Sequence, residues 1–115
     1  MIFEPKEFIS ISKELSVGTT EGHYRSLVNR AYYGAFGYAK IKLNILTTEF
    51  SVHKEVITTL KRSPKAEEVK AGSRLESLFN LRKKADYNYN NELKKCNCEF
   101  AIKDAEEIIK LIDSE

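Results

Sequence analysis

Apolar side chains recur at steps of three and four along this chain, and nowhere do they alternate with period two over a strand's length. Pro5 behind Glu4, followed by Phe8, Ile9, Ile11 and Leu15, predicts a first helix over about residues 4–16. Gly18-Thr19-Thr20 closes it and offers a cap to the next. Tyr24, Leu27, Val28, Ala31, Ala35, Tyr38 and Ala39 form the stripe of a long second helix, about 20–45. Ser51 is placed to cap a short third helix over about 51–61. Ser63-Pro64 supplies a cap and a proline at the first helical position of a fourth, about 64–88, with Gly72 loosening its first half. Asn88, Asn90 and Asn91 mark a loop by their turn preference. Phe100, Ala101, Ala105, Ile108, Ile109 and Ile112 repeat along a last helix, about 94–113. The pattern predicts an all-α fold, an antiparallel bundle of four main helices plus one short helix. No repeat, linker or low-complexity tract breaks it, so residues 1–115 are expected to form a single domain.

Composition narrows the setting. Apolar residues make up 42% and charged residues 31%, the balance of a globular protein rather than a disordered one. No run approaches the ~18 apolar residues of a membrane span. The start, Met1-Ile2-Phe3-Glu4-Pro5, lacks the basic and apolar regions of a signal peptide. A cytoplasmic location with no membrane partner is expected. Cys96 and Cys98 are too close in a helix for an unstrained disulfide, and two thiols fall short of a zinc site. They read as reduced packing or surface residues. Net charge is only +2, but residues 51–95 hold eleven basic against six acidic side chains, and residues 96–115 hold two against six. A phosphate backbone would be drawn to the middle third.

The singular position is Arg82, in Leu81-Arg82-Lys83-Lys84-Ala85-Asp86-Tyr87. It follows Leu75 by seven residues, Leu78 by four and Phe79 by three, which puts it on the apolar face. A charge there is costly unless it is paired or used. Asp86, four residues on, can pair with it along the helix. A guanidinium also matches phosphate oxygens with its planar fork of donors. Tyr87 brings a hydroxyl near the helix end, and tyrosine is a poor base at neutral pH. Lys83 and Lys84 face solvent, and with the tyrosines of Tyr87-Asn88-Tyr89-Asn90 they can meet a nucleic-acid strand.

The second helix carries Asn29-Arg30-Ala31-Tyr32-Tyr33-Gly34-Ala35-Phe36. Adjacent tyrosines cannot both face one core, so one packs inward and the other is free for a polar or interface contact. Gly34 and Gly37, beside Ala31 and Ala35, leave a groove for another helix, or less simply for a nucleotide. The two histidines, His23 and His53, lie on different helices. No phosphate loop, dinucleotide fingerprint or paired metal-binding histidines occur, so no metal or cofactor is expected.

Taken in order, the Asn29–Phe36 stretch, a lone His53 opening a short helix, and the Arg82–Tyr87 stretch resemble the HEPN superfamily. The match is to its small, single-domain branch with an arginine–x–x–alanine–aspartate–tyrosine motif. That resemblance implies an all-α bundle that forms homodimers, often a metal-independent endoribonuclease. Such domains work in toxin–antitoxin or antiviral defence systems, some beside a nucleotidyltransferase partner. It implies that Arg82 holds a scissile phosphate with Asp86 orienting it, and that Tyr87, at the usual histidine position, and His53 are the acid–base groups. Arg30, Tyr33, Lys83 and Lys84 would then contact the RNA. The alternative is a non-catalytic helical interaction module that partners a nucleotidyltransferase, with Arg82 and Asp86 locking the bundle.

Overall fold

The computed structural model describes residues 3–114. Its elements are α1 (Lys6–Leu15), α2 (Glu21–Lys42), α3 (Val52–Lys61), α4 (Ala66–Tyr87) and α5 (Lys95–Asp113). No strand occurs among the described residues, so the all-α bundle read from the pattern is the fold. The middle of the bundle is α2, which packs against α1, α4 and α5. In turn α4 bears α5 on one side and α3 on another. Leu27, Val28, Tyr32, Leu60, Leu75, Leu78 and Ile108 are fully enclosed where these helices meet. Each such side chain contributes about 1.5–3 kcal/mol by leaving water.

The helix ends explain where the expected bounds shift. Thr20 caps α2 as expected, its hydroxyl accepting the N–H of His23 at 3.3 Å. At its other end α2 stops three residues early, at Lys42. Asn44 takes a left-handed φ of 56°, and the N–H of Ile45 reaches back to the carbonyl of Lys40 at 3.1 Å. That is a left-handed helix stop, for which asparagine is the usual substitute for glycine. Ser51 precedes α3, but its side chain makes no capping bond. Pro64 is not the first residue of α4. The hydroxyl of Ser63 instead accepts the N–H of Lys65 at 3.1 Å, a local turn that delays the helix to Ala66.

Glycines mark where helices touch. A Cβ on Gly34 would stand 2.6 Å from the Ile9 side chain, and one on Gly37 would stand 2.8 Å from Pro5. Helix α1 and the proline before it therefore fill this groove, and no nucleotide fits there. Gly72 does not loosen α4, which runs unbroken through it. A Cβ at Gly72 would come within 2.9 Å of Leu60 Cβ and of the Lys61 backbone nitrogen. Its lack of a side chain is what lets α3 lie close against α4.

No helix among the described residues is long and apolar enough to cross a membrane. Both cysteines are free, Cys96 exposed and Cys98 buried. Burial pushes the Cys98 thiol up to about 11, so it packs as a small apolar group.

Candidate functional site

Arg82 faces inward from α4 and is only 6% exposed. Its guanidinium carbon lies 5.3 Å from the ring centre of Phe79, 5.4 Å from Tyr32, 5.5 Å from Tyr33 and 5.9 Å from Tyr87. Ring faces at these distances attract a cation and offset part of its desolvation. Among the described residues its one charged partner is Asp86, whose Oδ2 accepts from Arg82 Nη1 at a long 3.3 Å. The same oxygen accepts from Asn29 Nδ2 of α2 at 3.0 Å. Arg82 Nε is buried with no hydrogen-bond partner among the described residues. The cation is therefore enclosed but only partly satisfied, and its remaining donors suit an oxyanion.

Beside it, α3 and α4 part to form a cleft of about 980 Å³, floored by Tyr33 and walled by His53, Phe79, Arg82 and Tyr87. Lys54, Lys61, Arg62 and Lys83 stand along it. Lys61 is held across the two helices by Glu76 at 2.8 Å. Phe50, fully exposed, sits on the lip. A basic rim around aromatic walls is the arrangement that tracks a single-stranded backbone and stacks its bases.

His53 enters the cleft from the first turn of α3. Its ring stacks 4.3 Å from Phe36 and 5.4 Å from Phe79, and its Nδ1 lies 2.6 Å from the hydroxyl of Tyr32. Burial and the neighbouring Arg82 cation hold the imidazole below its ordinary pKa, so it is neutral at pH 7. Burial pushes the Tyr32 phenol well above the tyrosine range, so it keeps its proton.

The family profile of the HEPN domain matches residues 7–115. The chain belongs to the HEPN domain family. Nothing among curated proteins or solved structures matches it.

Within this HEPN domain the residues singled out from sequence fall into two groups. Arg82, His53, Tyr33, Lys83 and Tyr87 share the cleft. Asp86 stands behind Arg82 and lines a separate hollow of about 530 Å³ with residues of α1 and α2. Arg30 lies in that hollow too. Its guanidinium bonds to Asn29 Oδ1 and covers Phe8 at 4.8 Å. Lys84 is exposed and lines neither space. The paired tyrosines divide as their adjacency requires, Tyr32 enclosed and Tyr33 at the cleft floor.

Several of the contacts that build the site carry no mark in the sequence. Asn29 reaches Asp86 across 57 positions, and Tyr32 reaches His53 across 21. Arg25 of α2 donates Nη1 to the carbonyls of Lys84, Ala85 and Asn88, and Nη2 to that of Asn91. It closes the end of α4 just past the Arg82 turn. Helical spacing does not report contacts between helices. Among the described residues, no three or more His, Cys, Asp or Glu side chains gather as metal ligands would.

Proposed function

We propose that this HEPN domain binds RNA and cleaves it without a metal ion, as a homodimer in a toxin–antitoxin or antiviral defence setting. One observation carries the reading: a buried, under-satisfied guanidinium on the wall of a cleft with a basic rim. Arg82 holds the scissile phosphate and stabilises charge as it develops there. Asp86 orients the guanidinium from behind. His53 and Tyr87 are the polar groups beside the phosphate site, placed to hydrogen-bond the reacting oxygens. Tyr33 offers a ring face, and Lys83 on the rim guides the flanking strand; Lys84 and Arg30 line no part of the cleft, so they meet only RNA that runs beyond it. HEPN domains usually dimerise, which supports a cleft completed by a second copy.

The test is RNA cleavage by purified protein in excess chelator, with Arg82→Ala as control. Cleavage should persist, leave cyclic phosphate ends, and fall at least about a hundredfold in the variant, the scale of removing one oxyanion donor. No cleavage of any RNA, or an Arg82→Ala protein that cleaves as well as its parent, sinks the enzymatic reading.

A second reading is favoured by the four rings and the carboxylate gathered around Arg82. Here the arginine locks a non-catalytic interaction module whose partner is a nucleotidyltransferase. Arg82→Ala would then destabilise the bundle or its dimer. A folded, dimeric Arg82→Ala protein that had lost only RNA binding removes this reading.

A further inference from the structure

The Tyr32 hydroxyl has one partner among the described residues, Nδ1 of His53 at 2.6 Å. Tyr32 is 0% exposed, so its O–H is out of reach of bulk solvent and depends on partners in the core. Two arrangements satisfy that distance. Either the phenol donates to an unprotonated Nδ1, or Nδ1–H donates to the phenol oxygen. In the second, the phenolic proton is left in the core without an acceptor, which a buried polar group rarely tolerates. In the first, both groups are satisfied. The imidazole proton then lies on Nε2, because a neutral ring carries one proton and Nδ1 is accepting.

Nε2 has no hydrogen-bond partner among the described residues, yet it is not among their buried, unpartnered side-chain atoms, which are Arg82 Nε and Asp104 Oδ2. The ring lines the cleft, so this second edge opens onto it. The groups around the ring agree with a neutral imidazole. Tyr32 and Tyr33 of α2 and Arg82 of α4 contact it or shift it, while Glu49, Lys54 and Lys83 line the same space.

We infer that Tyr32 is a positioning residue that fixes His53 as a neutral Nε2–H donor, so that His53 and Arg82 together form a two-sided hydrogen-bond clamp for a phosphoryl oxygen. The clamp rests on the RNA-cleaving reading and sharpens it. His53 donates a hydrogen bond to the phosphate and removes no proton from the ribose hydroxyl, because the nitrogen it turns to the cleft already bears its hydrogen. A neutral donor paired with a fixed cation stabilises added negative charge and needs no protonation change at neutral pH. Nδ1, the basic nitrogen, is sealed against Tyr32.

The test reads the imidazole nitrogens directly, by two-bond proton–nitrogen correlation NMR on isotopically labelled protein at neutral pH. His53 should show an unprotonated Nδ1 and a protonated Nε2. Titrated inorganic phosphate should shift the His53 Nε2–H and the Arg82 guanidinium resonances together and to saturation. Tyr32→Phe should abolish the single-tautomer pattern and weaken phosphate binding several-fold. A protonated Nδ1 in the parent overturns the assignment, and so does an unchanged His53 pattern in a folded Tyr32→Phe protein. Phosphate that leaves His53 unmoved overturns the clamp. The parent spectrum decides the tautomer even where Tyr32→Phe does not fold. None of these readouts needs cleavage, so an inactive protein sinks the enzymatic reading while leaving the tautomer standing.

Discussion

Asn29 Nδ2 and Arg82 Nη1 converge on one oxygen, Oδ2 of Asp86, at 3.0 Å and 3.3 Å. The carboxylate thus has a neutral donor from α2 and a cation from its own helix. An amide that bonds the carboxylate limits how far Asp86 can swing toward solvent, and so keeps it behind Arg82. Asn29→Ala should free Asp86 and leave Arg82 less ordered. Stability should fall by about 1 kcal/mol, the usual net value of such a bond. Phosphate or RNA binding should weaken more than stability alone accounts for, as titration of the folded variant would measure. Unchanged affinity would remove Asn29 from the site.

Gly72 sets the distance between α3 and α4, the two walls of the cleft. An added methyl would press on Leu60 Cβ and the Lys61 backbone, neither of which is a flexible side-chain end. Gly72→Ala should therefore destabilise by about 1–3 kcal/mol, even though alanine is the better helix former by ~1 kcal/mol. Urea denaturation measures this. A more stable variant would mean that α3 yields easily.

The Arg74–Asp104 pair joins α4 to α5. Arg74 Nη1 lies 2.9 Å from Asp104 Oδ1; the carboxylate is 2% exposed, and its Oδ2 has no partner among the described residues. Burial raises the Asp104 pKa, against the lowering by Arg74. The folded state therefore holds this proton more tightly than the unfolded state does. Its contribution to stability is present below the ordinary carboxylate value of about 3.9 and is lost as pH rises through the folded value. Arg74→Ala removes the compensating cation, so its cost, about 1–3 kcal/mol at pH 7, should shrink toward pH 4. Denaturation curves at both pH values decide it. An equal cost at both would show that Asp104 does not titrate in this range.

Arg25 binds four carbonyls at and beyond the end of α4, while Glu21 holds its Nε at 2.8 Å. The last carbonyls of a helix have no partner within it, and a cation suits that end of the dipole. Arg25→Ala should cost about 1–3 kcal/mol. It should also speed amide exchange over Ala85–Asn91 before the rest of the molecule. Exchange that stays uniform would mean that the turn is held by other contacts.

Helical periodicity was enough to read the five helices and the inward placement of Arg82, because the side-chain repeat is a property of each helix alone. The HEPN resemblance was legible for the same reason: its motifs lie within single helices. The helix ends were less legible. Asn44 and Ser63 stop or delay helices through local backbone geometry that apolar spacing overlooks.

Across helices, sequence spacing reports nothing about distance, and there the tertiary structure decided. Packing of α1 into the Gly34–Gly37 groove closed that space to a ligand. Packing of α3 on α4 made the cleft, and placed His53 against Tyr32 and within range of Arg82. Packing of α1 and α2 on the other side of α4 encloses Asp86 in a separate hollow while Tyr87 lines the cleft, a division that consecutive residue numbers do not disclose. Which side chains are buried, and therefore which protons they keep, follows from what the other helices cover, and only the assembled bundle specifies that.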